Sequence, residues 1–154
     1  MELSYAAICF DLFGTLISDE GSAIAGARET LAGLGAARWA IVTSMPRRAA
    51  AAVITRAGLL VPPVLVSADD VLHGKPSPDP YRLAAERLAI EPSSALAVED
   101  SSSGVDSARA AGMDALFILR GRSASACSRA DYYVDRFAQL TVSVDPSGAC
   151  RVAF

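Results

Sequence analysis

Tyr5-Ala6-Ala7-Ile8-Cys9-Phe10-Asp11-Leu12-Phe13-Gly14-Thr15-Leu16 is the stretch on which the fold turns. Its first half is apolar at every position, so a strand over Tyr5–Phe10 would be buried on both faces, as in a parallel sheet covered by helices. The run stops abruptly at Asp11, and the residues after it carry Gly14-Thr15. Outward from this stretch, short apolar runs alternate with helical patterns of about ten residues. Ile24–Leu34 places Ile24, Ala27, Leu31 and Leu34 on one side of a helix, and Trp39–Thr43 is the next strand. A helix opens at Pro46, a favoured first-turn residue. Val64–Ser67 is a third strand; a loop with Gly74-Lys75-Pro76 then enters a helix with Tyr81, Ala84, Ala85 and Leu88 on its apolar face. Ala95–Val98 is a fourth strand, Ser101–Ala111 a helix ended by Gly112, and Ala115–Leu119 a fifth strand.

Single helices between strands buried on both faces predict an α/β fold, a doubly wound, three-layer, Rossmann-like parallel sheet. Two short alternating runs, Leu140–Val144 and Cys150–Phe154, flank the turn-forming Asp145-Pro146-Ser147-Gly148 and predict a C-terminal β-hairpin. Gly121–Ala130, small and polar, is expected to be a loop. With no repeat or linker, residues 1–154 are expected to form one domain.

The chain has 154 residues, 52% hydrophobic and 20% charged, enough to build a core; 30 alanines inflate the apolar share without adding much volume. A net charge of −3 offers no electrostatic case for a nucleic-acid or membrane-surface partner. No apolar run approaches the roughly 18 residues of a membrane helix, and Met1-Glu2-Leu3-Ser4 has no basic leader, so a cytoplasmic location is expected. Cys9, Cys127 and Cys150 lie far apart with no Cys-x-x-Cys pair, and are expected to be buried small hydrophobes. Of 14 basic residues, thirteen are arginine and one is Lys75. A bias toward arginine explains the thirteen. It does not explain the exception, which suits a place where a compact ammonium must fit among oxygens.

In an open parallel sheet, ligands bind beyond the carboxyl ends of the strands. Asp11, Thr43-Ser44, Lys75 and Glu99-Asp100 all fall at those ends or in the loops that follow. Crowded carboxylates raise one another's pKa unless a cation neutralises them, and such oxygen ligands suit Mg²⁺. A hydroxyl, exposed N–H groups and an ammonium suit a phosphate. The set reads as a phosphoryl-transfer site. Ser101–Ser103 are expected to cap their helix, His73 to lie at a rim or in the core, and Asp69-Asp70 to form a solvated turn.

Four segments in order, Asp11-Leu12-Phe13-Gly14-Thr15-Leu16, Ile41-Val42-Thr43-Ser44, Gly74-Lys75-Pro76-Ser77-Pro78 and Val98-Glu99-Asp100-Ser101 with Gly104, resemble the four motifs of the haloacid dehalogenase superfamily over roughly residues 5–120. The resemblance implies that Asp11 is a nucleophile forming an aspartyl-phosphate, and that Thr43 and the Ser44 N–H hold phosphate oxygens. It implies that Lys75 bridges nucleophile and phosphate, and that Asp11, Asp100 and the main-chain carbonyl of Phe13 ligate Mg²⁺. Glu99 would ligate the metal or orient its water.

The sequence departs from the family in two places. Phe13 stands where the phosphatases usually have a second Asp that works as acid and base, worth typically about 10²–10⁴-fold. The change predicts attenuated turnover, least for a good leaving group such as an acyl or aryl phosphate. It also leaves open a 2-haloacid dehalogenase-like reaction, in which Asp11 attacks carbon, and a non-catalytic Mg²⁺- and phosphate-binding module. Against the dehalogenase, Glu99-Asp100-Ser101 resembles the metal-binding form of the fourth motif. The second departure is size: neither the 32-residue step from Asp11 to Thr43 nor the step from Ser67 to Lys75 holds a cap domain. An uncapped cleft would accept a large phosphorylated substrate or borrow a cap from another subunit in a homo-oligomer. Asp19 or Glu20, in the loop at the insertion point, would be the substitute acid. Arg38–Ser44 and Asp79-Pro80-Tyr81 look most like sugar-phosphate phosphatases.

Overall fold

The computed structural model describes residues 1–154. Six strands form one parallel sheet in the spatial order β4 (Val64–Val66), β3 (Trp39–Val42), β2 (Ala7–Phe10), β5 (Ala95–Glu99), β6 (Asp114–Ile118), β7 (Tyr132–Val134). The chain runs outward from β2 to β4, then returns to lay β5 on the other side of β2, with Phe10 opposite Val98. The order therefore reverses between β2 and β5, and the crevice beyond that switch point is where such sheets bind ligands.

Helices α1 (Ala27–Leu34) and α2 (Arg47–Arg56) cover one face; α3 (Asp79–Leu88) and α4 (Ser102–Ala111) cover the other. The strand pleat sorts side chains by size between the two. Ile8, Phe10, Ile41, Leu96, Val98 and Leu116 pack with α1 and α2. Ala7, Cys9, Ala40, Ala95, Ala97 and Ala115 pack with α3 and α4, which bring alanines of their own. The abundant alanine thus builds one small-residue layer, and the bulk there comes from Tyr81 and Phe117.

Several boundaries differ from the sequence expectation. The apolar run Tyr5–Phe10 is not one strand. It divides at Ala6, because β1 (Glu2–Tyr5) leaves the main sheet and pairs antiparallel with β9 (Cys150–Ala153). The predicted hairpin is present as β8 (Thr141–Val144) and β9, and β1 makes it a three-stranded sheet in the order β1-β9-β8. Helix α1 begins three residues later than Ile24, whose N–H is taken by the Leu16 carbonyl at 2.8 Å. Strand β7 was not legible: it is three residues long, too short for a period, and forms only because β6 offers it an edge. Residues 121–130 are irregular apart from one 3₁₀ turn at Ala124–Cys127. All three cysteines are free and buried. No helix is long and apolar enough to cross a membrane.

Candidate active site

Asp11 ends β2, and its N–H is fixed by the Val98 carbonyl of the neighbouring strand at 3.0 Å. The chain then turns through Leu12–Ile17, closed by the Gly14 N–H on the Ile17 carbonyl at 2.7 Å. Gly14 has φ +85°, and a Cβ there would strike the Asp100 carboxylate, so only glycine lets the first and fourth loops meet. Thr15 Oγ1 donates to Asp11 Oδ2 at 3.3 Å, which leaves Oδ1 for a cation.

That cation is Lys75. Its Nζ donates to Asp11 Oδ1 at 2.8 Å, Glu99 Oε1 at 2.7 Å and the Val42 carbonyl at 2.9 Å, so all three N–H bonds are used. The side chain is 4% exposed. Burial alone would depress its pKa; the facing charges of Glu99 and Asp11 outweigh it and hold the ammonium charged. Glu99 is fully buried, and burial pushes its carboxyl up, against the pull of Lys75. The Tyr81 hydroxyl donates to the same Glu99 Oε1 at 2.5 Å, and the Lys75 ammonium lies 5.4 Å from the centre of the Tyr81 ring. Gly104 clears the space, because a Cβ there would overlap the Glu99 carboxylate. Tyr81 reads from sequence as one more apolar-face residue; only packing reveals that its hydroxyl belongs to the site.

The cleft over these groups has a volume of about 440 Å³ and is lined by Asp11, Phe13, Thr43, Ser44, Lys75 and Asp100, among others. Six of the seven expected site residues therefore meet at one opening. Glu99 stands behind Lys75, and its Oε2 receives one long contact, from Ser101 Oγ at 3.4 Å. Thr43 Oγ1 accepts the Met45 N–H at 3.2 Å. Asp100 is partly buried, and both that burial and the Asp11 charge push its carboxyl upward, offset in part by Arg120. Asp11, Glu99 and Asp100 each place one carboxylate oxygen within 4.8 Å of the others. Three carboxylates against two cations, Lys75 on Asp11 and Glu99 and Arg120 on Asp100, leave an excess of negative oxygen, and a hard divalent cation such as Mg²⁺ fits that donor set.

Of the other candidates, Ser101 and Ser103 also line the cleft, and the rest lie outside it. Ser101 caps α4, its Oγ accepting the Gly104 N–H at 3.1 Å. His73 is exposed, 3.4 Å from Asp79. Asp69 takes the Arg47 N–H at 2.7 Å, and Asp70 pairs with Arg47 and Arg87, so these two form a salt-bridged turn. Asp19 and Glu20 are exposed in the turn after Ser18 and do not line the cleft. Arg120 and Arg122 were not singled out from sequence, hidden among thirteen arginines. The available signal was position, since Arg120-Gly121-Arg122 follows the carboxyl end of β6.

A model of the haloacid dehalogenase-like hydrolases matches residues 17–112, a span that holds Thr43, Lys75, Glu99 and Asp100 and begins after Asp11. Hexitol phosphatase A of Escherichia coli K12 is 37% identical over 110 residues, 71% of this chain and 51% of that protein. Validoxylamine A 7'-phosphate phosphatase of Streptomyces hygroscopicus subsp. limoneus is 39% identical over 92 residues, 59% of this chain and 43% of that protein. The chain thus spans about half the length of these curated relatives. CbbY from Rhodobacter sphaeroides, solved with phosphate, superposes with a TM-score of 0.75 at 21% identity, covering 88% of this chain and 96% of that one. That likeness is one of fold.

Proposed function

The chain belongs to the haloacid dehalogenase-like hydrolases, and on that premise we propose that it is a Mg²⁺-dependent phosphatase-type hydrolase acting on phosphorylated sugars or related phosphate esters. The observation that carries the proposal is the Lys75 ammonium, 2.8 Å from Asp11 Oδ1 and fixed from behind by Glu99 at 2.7 Å, with Thr43, Ser44 and Asp100 around the same opening. A buried, permanently charged ammonium beside one carboxylate oxygen is what an attack on a phosphate dianion needs.

In this reading an Asp11 carboxylate oxygen attacks phosphorus, the bond to the leaving oxygen breaks, and water later cleaves the aspartyl-phosphate. Thr43 Oγ1 and the Ser44 N–H hold the non-bridging oxygens, and Lys75 balances the charge that grows on them. Mg²⁺ held by Asp11, Asp100 and the Phe13 main-chain carbonyl would neutralise phosphate charge. Glu99 positions Lys75, and its Oε2 remains for a water of that ion. Phe13 offers the leaving oxygen no proton, so turnover is slow for alkyl esters and least impaired for acyl and aryl phosphates. With no cap inserted between Asp11 and Thr43 or between Ser67 and Lys75, the cleft stays open to substrates larger than a free sugar phosphate. A second reading, a Mg²⁺- and phosphate-binding module without turnover, is favoured by Phe13 alone.

Hydrolysis of acetyl phosphate and p-nitrophenyl phosphate with Mg²⁺ or with EDTA tests both. Mg²⁺-dependent hydrolysis that disappears in Asp11→Asn supports the phosphatase, and Phe13→Asp should then raise the rate. Hydrolysis that survives EDTA or Asp11→Asn overturns it. Orthovanadate binding with Mg²⁺, without turnover of any ester, establishes the second reading instead.

A further inference from the structure

The loop leaving β6 directs two guanidinium groups at Asp100. Arg122 is committed to the backbone: its Nη2 donates to the carbonyls of Asp100 at 2.7 Å and Ile118 at 3.0 Å, and its Nε donates to Leu119 at 2.7 Å. Its guanidinium also lies 4.8 Å from the centre of the Phe117 ring. Arg120 differs. Its Nη1 donates to the carboxylate itself, Asp100 Oδ2, at 3.2 Å, and the side chain is 42% exposed. Arg120 adopts φ +53°, a left-handed conformation that costs a residue with a Cβ. Two bonds to one residue hold it there: Arg120 N–H to the Asp135 carbonyl at 2.9 Å and Gly121 N–H to Asp135 Oδ1 at 2.8 Å. The loop tolerates a strained backbone in a geometry that sets a cation on an oxygen otherwise open to the cleft.

From this geometry we infer that Arg120 sets the metal affinity of the site: its guanidinium and the divalent ion compete for the carboxylate of Asp100. The inference rests on the reading of Asp100 as a metal ligand. Two cations at one carboxylate repel, so binding of the ion drives the guanidinium away, and the fold supplies a place for it. A cavity of about 270 Å³ beside the cleft is lined by Gly14, Ser18, Arg120, Asp135 and Phe137, among others. The Asp135 side chain is 51% exposed, and Arg136, which also lines the cavity, reaches its Oδ2 only at 3.9 Å, so a second carboxylate there can still take the displaced guanidinium. Arg120 is thus a positioning residue that exchanges between two acids.

Isothermal titration of the full chain with MgCl₂ alone tests this without any turnover. Arg120→Ala should lower the Mg²⁺ Kd about two- to fivefold, the range of a half-exposed ion pair. Arg120→Gly should do the same while accepting the positive φ, so a folding defect in the alanine variant does not decide the matter. Asp135→Asn keeps an oxygen for the Gly121 N–H but removes the second carboxylate charge, and should raise the Kd. Mg²⁺ binding by the wild type with equal or weaker binding by both Arg120 variants overturns the inference alone, as does an unchanged Kd in Asp135→Asn. Failure of wild type and variants alike to bind Mg²⁺ removes Asp100 as a ligand and takes both the metal reading and this inference with it.

Discussion

Two carboxylates, each held by cations and hydroxyls, show how burial changes what an ion pair does. Glu99 closes β5 at the carboxyl edge of the sheet, fully buried, with Lys75 4% exposed and the Tyr81 hydroxyl on the same oxygen. Asp70 sits on the shoulder of the sheet, paired with Arg47 at 2.6 Å and Arg87 at 3.3 Å, and both arginines are well exposed. Their carboxyls move in opposite directions. Burial raises Glu99 despite its cation. At Asp70 a smaller burial effect is overcome by the Ser67 N–H and hydroxyl and by the two arginines, so its carboxyl lies well below the ordinary range. A pair in water can lose a member cheaply. A pair in the core cannot, because the survivor has nothing to solvate it.

The contrast breaks most sharply at Lys75. Lys75→Met leaves Asp11 and Glu99 without their counter-charge and should cost about 3–5 kcal/mol of stability and, under the proposed function, abolish hydrolysis. The penalty should shrink on acidification. Glu99 has a folded pKa above its unfolded one, so its protonated form is favoured by folding and needs no partner at low pH. Urea denaturation at pH 5 and pH 8 measures this, and equal penalties at both would contradict it. Tyr81→Phe is the intermediate case. It removes one donor from buried Glu99 while leaving Lys75, and should cost about 1–3 kcal/mol. A variant as stable as the wild type would mean that water replaces the hydroxyl.

Asp70→Asn should have the smallest effect, about 0.2–1 kcal/mol near neutral pH, with most of it screened in 1 M NaCl. Its penalty also shrinks in acid, but from a carboxyl shifted in the opposite direction to Glu99. The depressed Asp70 pKa stabilises the fold above the unfolded value of about 3.9, and that contribution is lost as pH falls through the lower folded value. Wild type and Asp70→Asn should therefore converge in acid, and thermal melts from pH 7 down to pH 2 follow the convergence.

The same contrast separates what could be read from sequence from what could not. The acids after Phe10 and Val98, the hydroxyls after Val42 and the lone Lys75 stand at strand ends, and strand ends are set by local apolar runs. Asp69-Asp70 reads as a surface turn because turn residues carry their geometry with them. The hydroxyl of Tyr81 does not read as part of the site, since helical spacing marks it only as buried. The role of Arg120 is hidden for a different reason: it depends on Asp135, just past the short strand β7, which pins the loop that carries it.

Composition and periodicity determined by themselves that this chain forms a parallel sheet wound on both faces, with its strand-end polar side chains along one edge. Both follow from patterns within about ten residues, where backbone geometry dictates which side chains share a face. Packing alone decided that Tyr5–Phe10 divides between two sheets, that Lys75 is shared between Asp11 and Glu99, and that Arg120 reaches Asp100. Such contacts join residues 20 to 151 positions apart. No local pattern encodes them. They form where the layers close and buried polar groups must find partners in place of water.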